Sequence, residues 1–331
     1  MTTLWDTTGT AVVKALSAER RSAGSVASGL ALTLVVVVDE KRVGEAEQAA
    51  TRAAAQHPCR LLIVVRRRPD EPEPRLDAEV LIGGRLGPGE AVVMRMYGRL
   101  ALHAESVVLP LLAPDAPVVT WWFGDPPDLI GHDPLGVFAD RRITDAGQAE
   151  DSLAALLQRG QDYVPGDTDL SWTRTTLWRG LCASAFDTPS EPVAHVHVSG
   201  APGSPSRALM AGWLKSRFDQ DIELIDSEGP GLTGVGFDLQ DGAQISLNRR
   251  DPRTAVLTRT GQSERVMPLP RRELGDLLAE ELRRLDADET YADALGAATG
   301  VASLDDAPTT RSHVWQDPAA PADPDPALTV S

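Results

Sequence analysis

Residues Leu30–Asp39, LALTLVVVVD, form the longest largely apolar run in the chain and show no polar alternation. A strand with one wet face alternates apolar and polar side chains. A strand this uniform has to be covered on both faces, which is the situation of parallel sheets whose crossovers place helices above and below. The run is about half the length that a membrane helix needs. Lys41–Gln56 follows as an alanine-rich helix ending before His57-Pro58, and Arg60–Val65 is a second apolar strand. Strand, helix and strand make a βαβ unit.

The rest of the chain reads outward from that unit. Leu4 to about Arg21 predicts a first helix, with Val12, Ala15 and Leu16 on its inner face and Thr8 or Thr10 as cap. Leu76–Ile82 and Ala91–Tyr97 alternate as strands, joined through glycine-rich Gly83–Gly89. Leu100–Leu109 has helical spacing, Val118–Trp122 reads as a short buried strand, and Ala149–Gln158 as another helix. The prediction is an α/β N-terminal domain with a mixed sheet over residues 1–165, ending in a hinge at Tyr163–Asp167. A smaller α+β domain is predicted over 166–299. In it Asp169 caps a long helix from Leu170 to about Phe186, and a strand–helix–strand follows (Val193–Ser199, Ser204–Phe218, Asp221–Asp226). Val235–Gln240, Ala243–Asn248 and Ala255–Thr260 form a meander, and Arg271–Leu285 and Tyr291–Ala298 are closing helices. Residues 300–331, rich in Pro, Asp and Ala, predict a disordered acidic tail. Two domains suit a chain of 331 residues.

Charge excludes one class of partner. With 32 Lys+Arg against 48 Asp+Glu, the net charge of −16 repels phosphate backbones. The basic triplet Arg66–Arg68 is followed at once by Asp70, Glu71 and Glu73. No nucleic acid and no membrane partner is expected. The start MTTLWDTTG lacks the basic-then-apolar order of a signal peptide, and two cysteines do not make a disulfide framework, so the expected setting is cytoplasmic and reducing.

Few motifs carry chemistry. GPGLTG at Gly229–Gly234 matches G-x-G-x-x-G, but a strand rather than a helix follows, so it reads as a loop between strands. GAPGSPSR at Gly200–Arg207 lies between strand and helix. There Gly203, Ser204, Ser206 and Arg207 either form an ordinary turn or bind an anion. His195 and His197 face one side of a strand without a third metal ligand in register. Cys59 and Cys182 are either small core residues or redox-sensing thiols. No catalytic residue, metal or cofactor is assigned.

Ser106–Asp125, SVVLPLLAPDAPVVTWWFGD, is the most distinctive stretch. Trp121 and Trp122 must point to opposite faces of their strand. Either both are core, or they form a docking rim at the carboxyl end of the sheet. On the helix after Asp169, Trp172, Thr175, Thr176 and Arg179 share a face opposite Trp178, Leu181, Cys182 and Ala185. Trp121, Trp122, Trp172, Arg174 and Arg179 are therefore the candidate partner contacts, with packing of Trp172 on the first domain as the alternative. PLLAPDAPVVTWWFGDPP and DPLGVFADRRITDA, with LWDTTGTAVVKAL, HPCRLLIVV, GEAVVMRMYG, DTDLSWTRTTLWRGLCASAFD and HVHVSGAPGSPSRALMAGWL, resemble the actinobacterial glucose-6-phosphate dehydrogenase assembly proteins, the OpcA family. The resemblance runs colinearly over about residues 1–300. Phe123 departs from it, since proline commonly follows the paired tryptophans there. The resemblance implies a non-catalytic protein that binds glucose-6-phosphate dehydrogenase and promotes its active oligomer, supporting the oxidative pentose phosphate pathway and NADPH supply. It also implies redox coupling in some members, without assigning either thiol. The alternative function is an α/β enzyme or sensor for a phosphorylated sugar or nucleotide.

Overall fold

The computed structural model describes residues 1–22, 30–68, 71–83, 89–186, 191–307 and 309. The first layer is built from β1 (Thr2–Leu4), α1 (Gly9–Ser22), β2 (Leu32–Val38), α2 (Val43–Ala54), β3 (Cys59–Arg67), β4 (Arg75–Ile82), β5 (Glu90–Tyr97), α3 (Arg99–Leu102), α4 (Glu105–Val108), β6 (Val118–Phe123), β7 (Arg141–Thr144), α5 (Ser152–Gln161) and β8 (Asp167–Asp169). Its sheet has eight strands in the order β1-β4-β5-β3-β2-β6-β7-β8. From β5 to β8 every neighbour pair is parallel, while β4 and β1 add on antiparallel, so the sheet is mixed. Counted from β2, the parallel strands run 3-2-1-4-5-6, the doubly wound order of dinucleotide-binding folds.

The uniform apolar run becomes β2, at the centre. Leu34 and Val36 face α2, where Ala46, Ala49, Ala50 and Ala53 let the helix approach closely. Val35 points the other way, into the core with Val12 and Leu16 of α1 and Val107 and Val108 of α4. Each such fully buried Val or Leu stabilises the fold by about 1.5–3 kcal/mol relative to exposure.

Local chemistry moved several predicted boundaries. The first helix begins at Gly9, because the Thr8 hydroxyl accepts from the Ala11 N–H and the residues before it pair with β4 as β1. The segment read as a hinge leads instead into β8, which pairs with β7. Asp167 there is locked by the buried Arg142 guanidinium and by the Val164 N–H.

The second layer comprises α6 (Leu170–Thr173), α7 (Thr176–Ala185), β9 (Val193–Gly200), α8 (Pro205–Phe218), β10 (Glu223–Asp226), β11 (Leu232–Leu239), β12 (Gln244–Arg249), β13 (Thr254–Arg259), β14 (Arg265–Pro268), α9 (Leu274–Glu281) and α10 (Glu289–Thr299). Its six-stranded sheet runs β10-β9-β11-β12-β13-β14, parallel only between β10 and β9. Asp169 caps α6 as expected, accepting from the Ser171 N–H. The predicted long helix is two helices, however. The Trp172 carbonyl accepts from both the N–H and the hydroxyl of Thr175, so the turn tightens and the helix restarts at Thr176.

The two layers are sewn together by the last helices. Leu277, Leu278 and Leu282 join the first-layer core, with Gly275 of α9 set against α2, where a Cβ would lie 2.9 Å from the Ala49 carbonyl oxygen. α10 lies on α8, and its Tyr291 and Leu295 share a third core with Leu156 of α5, Trp172 and Leu209. Of the predicted tail, Gly300 ends α10 at φ 76° and Leu304 packs into that third core; residues 308 and 310–331 lie outside the described residues.

Candidate functional site

Parallel strands that end together leave a crevice at their carboxyl edge. Here β6, β7 and β8 end at Phe123, Thr144 and Asp169, and a cleft of about 250 Å³ opens beside them, lined among others by Gly124, Asp125, Asp145, Gln158, Arg159 and Asp169. Asp169 is fully enclosed, accepting from the Thr144 hydroxyl and from the Ala146 and Ser171 N–H groups. Burial first, and then the charge of Asp145, hold its carboxyl above the usual range. Asp145 receives both arms of Arg174 at 2.6 and 2.7 Å. Arg159 is 5% exposed; its Nη2 donates to the Pro127 and Asp128 carbonyls, and its Nε and Nη1 have no hydrogen-bond partner among the described residues. Asp162 beside it is pushed up to about 6 by burial, against the pull of Arg159. Asp145 and Asp169 are thus committed to protein donors.

Outside the cleft the surface turns apolar. Leu153 and Leu157 lie one turn apart on α5, 43% and 41% exposed, and Leu129 is 53% exposed. Gln158 donates to the Asp128 carbonyl, which brings the loop carrying Leu129 against α5. At the switch between β2 and β6, where dinucleotide-binding folds place a glycine fingerprint, the turn reads Asp39-Glu40-Lys41-Arg42. Asp39 caps it from the Arg42 N–H, and Arg42 lies 4.6 Å over the Phe123 ring. None of these four residues is a glycine, and both carboxylates are paired, Asp39 with Arg42 and Glu40 with Arg95.

The residues singled out from sequence scatter. Trp121 and Trp122 are 0% and 1% exposed on opposite faces of β6; their rings are core, and neither indole N–H has a partner among the described residues. Trp172, 1% exposed, donates to Asp288 at 2.9 Å and packs in the third core, where Leu156 and Tyr163 of residues 1–165 meet Leu209, Tyr291 and Leu295 of residues 166–299. Arg179 stacks 3.6 Å over the Trp172 ring, and burial pushes its guanidinium down to about 10. Arg174, paired with Asp145, borders an open cleft.

Gly203 is a turn residue at φ 74° and Ser204 is the helix cap of α8. The Ser206 hydroxyl donates to the Ser171 carbonyl, and Arg207 pairs with Asp226 while holding the Gly200 carbonyl. These four act as a strand–helix turn. Gly229–Gly234 does connect two strands, β10 and β11. Cys59 and Cys182 are free and buried in different cores, and burial pushes both thiols up to about 12. His195 faces Glu223 and Asp238, and among the described residues no group of three His, Cys, Asp or Glu is placed to hold a metal ion. Trp5, 67% exposed, lies in the turn between β1 and α1, not in the helix predicted from Leu4. Among the described residues no helix is long and apolar enough to cross a membrane.

A doubly wound layer, sealed to a mostly antiparallel layer by the final helices, defines a two-layer α/β and α+β protein. A family model described as the glucose-6-phosphate dehydrogenase subunit N-terminal domain matches residues 50–161, and one described as the C-terminal domain of that subunit matches residues 165–295. The chain belongs to the OpcA family of glucose-6-phosphate dehydrogenase subunits. It is 27% identical over 184 residues to a Synechocystis OpcA protein whose name ties it to the OxPP cycle, a match covering 51% of this chain and 39% of that relative. The chain therefore spans well under half of the relative's length. A crystal structure of KijD10, a 3-ketoreductase from Actinomadura kijaniata in complex with NADP and TDP-benzene, aligns over 86% of this chain and all of that one, at 14% identity and a TM-score of 0.42. So weak a likeness assigns no chemistry.

Proposed function

We propose that this protein is a non-catalytic partner of glucose-6-phosphate dehydrogenase that promotes assembly of its active form and so supports NADPH supply. The observation that carries this reading is the match of the two subunit families, in chain order, to the two layers of the fold. The committed carboxylates of the strand-end cleft agree with it. An activator acts by binding the competent state of its target more tightly than the idle one. The contact face is the apolar rim of Leu129, Leu153 and Leu157 with Arg174 nearby, while Trp121, Trp122, Trp172 and Arg179 stiffen the frame behind it.

The test is reconstitution with the cognate dehydrogenase. The pair is expected to co-elute and to show a higher kcat/KM than the enzyme alone, with no turnover by this chain by itself. Leu153→Asp with Leu157→Asp sits on an exposed helix face and should raise the concentration for half-maximal activation by about tenfold or more. An unchanged activation curve removes α5 from the interface, and absence of both co-elution and rate change removes the function.

A further inference from the structure

Where α7, the end of β12 and the start of α9 meet, a second cavity of about 210 Å³ is lined by four arginines, Arg174, Arg249, Arg271 and Arg272. In a chain of net charge −16 this is a local inversion of sign, and a cleft walled by one sign concentrates its field. Two of the four are neutralised, Arg174 by Asp145 and Arg272 by Glu280. The other two form no ion pair among the described residues. Among the described residues Arg249 reaches the carbonyls of Asp251 and Leu269, and its buried Nε has no partner there. Arg271 reaches only the Pro230 carbonyl, at 3.0 Å. Burial first and the charge of Arg271 next push the Arg249 guanidinium down, and the carboxylate of Asp251 opposes this. The Trp178 ring, 5.3 Å from Arg249, shields part of one charge. The remaining wall is largely apolar, with Leu177, Leu232 and Leu277.

We infer that this arginine cavity binds the phosphate of a small phosphorylated metabolite, with Arg249 and Arg271 as the direct ligands. Guanidinium forks match phosphate oxygens in geometry as well as charge. The leucines suit a short carbon body. The volume, about 210 Å³, lies below the roughly 300 Å³ at which pockets for drug-sized ligands begin, and so suits a small ligand. The site is distinct from the loop at Gly203–Arg207, whose Arg207 is already paired. It needs no dehydrogenase, so it stands or falls apart from the assembly reading.

Calorimetric titration of the full chain with inorganic phosphate and with glycerol 3-phosphate, against sodium chloride of equal ionic strength, tests it. Saturable binding is expected for both, tighter for glycerol 3-phosphate. Arg271→Ala, at an exposed position, should weaken both by about tenfold or more, and Arg249→Lys should weaken both while keeping the charge. Arg265→Ala, on β14 outside the cavity, should change nothing. No saturable heat up to about 10 mM, or wild-type affinity in Arg271→Ala, overturns the site. Equal affinity for the two probes overturns its assignment to a metabolite.

Discussion

Trp172 is held on three sides, by Asp288 at its indole N–H, by Tyr291 at 6.0 Å between ring centroids and by Arg179 stacked at 3.6 Å. From sequence it shared an apparent surface with Arg179, since both fall on one face of an unbroken helix. The break at Thr175 and a partner 116 residues away make it a core residue, and neither is visible in local spacing. The cysteines resolve differently: their apolar neighbours were legible, and burial decides the chemistry. A thiol raised to about 12 stays protonated at neutral pH, so it is a poor nucleophile. Thiol labelling of the native chain at pH 8 is expected to be at least about a hundredfold slower than in denaturant, and to show no rise between pH 7 and 9. Rapid native labelling would restore a sensing role to Cys59 or Cys182. The sign for stability follows. The unfolded thiols ionise from about pH 8.5, the folded ones only near 12, so their contribution is intact below 8.5 and is lost as the pH climbs between those values.

Among the elements, β2 was legible because a strand covered on both faces leaves an apolar signature. β7 and β8 were not. Their sequences, Arg-Arg-Ile-Thr and Asp-Thr-Asp, are buried because each charge is matched, Arg142 by Asp167 across the two strands, Arg141 by Glu281 of α9, and Asp169 by the Thr144 hydroxyl and two backbone N–H groups. A strand of mutually neutralised charges looks like a loop in any hydrophobic pattern. The Arg141–Glu281 pair, 3% and 7% exposed, ties β7 to α9, and the second oxygen of Glu281 accepts from the Thr173 hydroxyl at 2.6 Å. Glu281→Leu alone leaves a buried guanidinium without its partner and is expected to cost about 3–5 kcal/mol in urea unfolding. Adding Arg141→Met should recover most of that loss. Equal losses in the single and double variants would mean that packing, not the uncompensated charge, sets the cost.

At the scale of the whole molecule the two layers share their cores. α9 covers α2, and α10 fills the space between α5 and α8. The sequence revealed two sheet-forming halves but not this return, since a helix that crosses back shows only an ordinary amphipathic face. A fragment of residues 1–165 lacks β8 and α9 and leaves Ala46, Ala49 and Ala53 uncovered. It is expected to give broad, non-cooperative thermal unfolding where the full chain gives a sharp transition; a sharp transition in the fragment would show that the first layer stands alone. Arg52 of α2 meets Asp276 of α9 across 224 residues. During synthesis at about 5–20 residues per second, α2 therefore waits on the order of tens of seconds for the helix that covers it. Until α9 emerges, the α2 flank of the nascent chain is exposed to chaperones and to premature association, and a ribosome stalled before α9 would release a product with that flank unsealed.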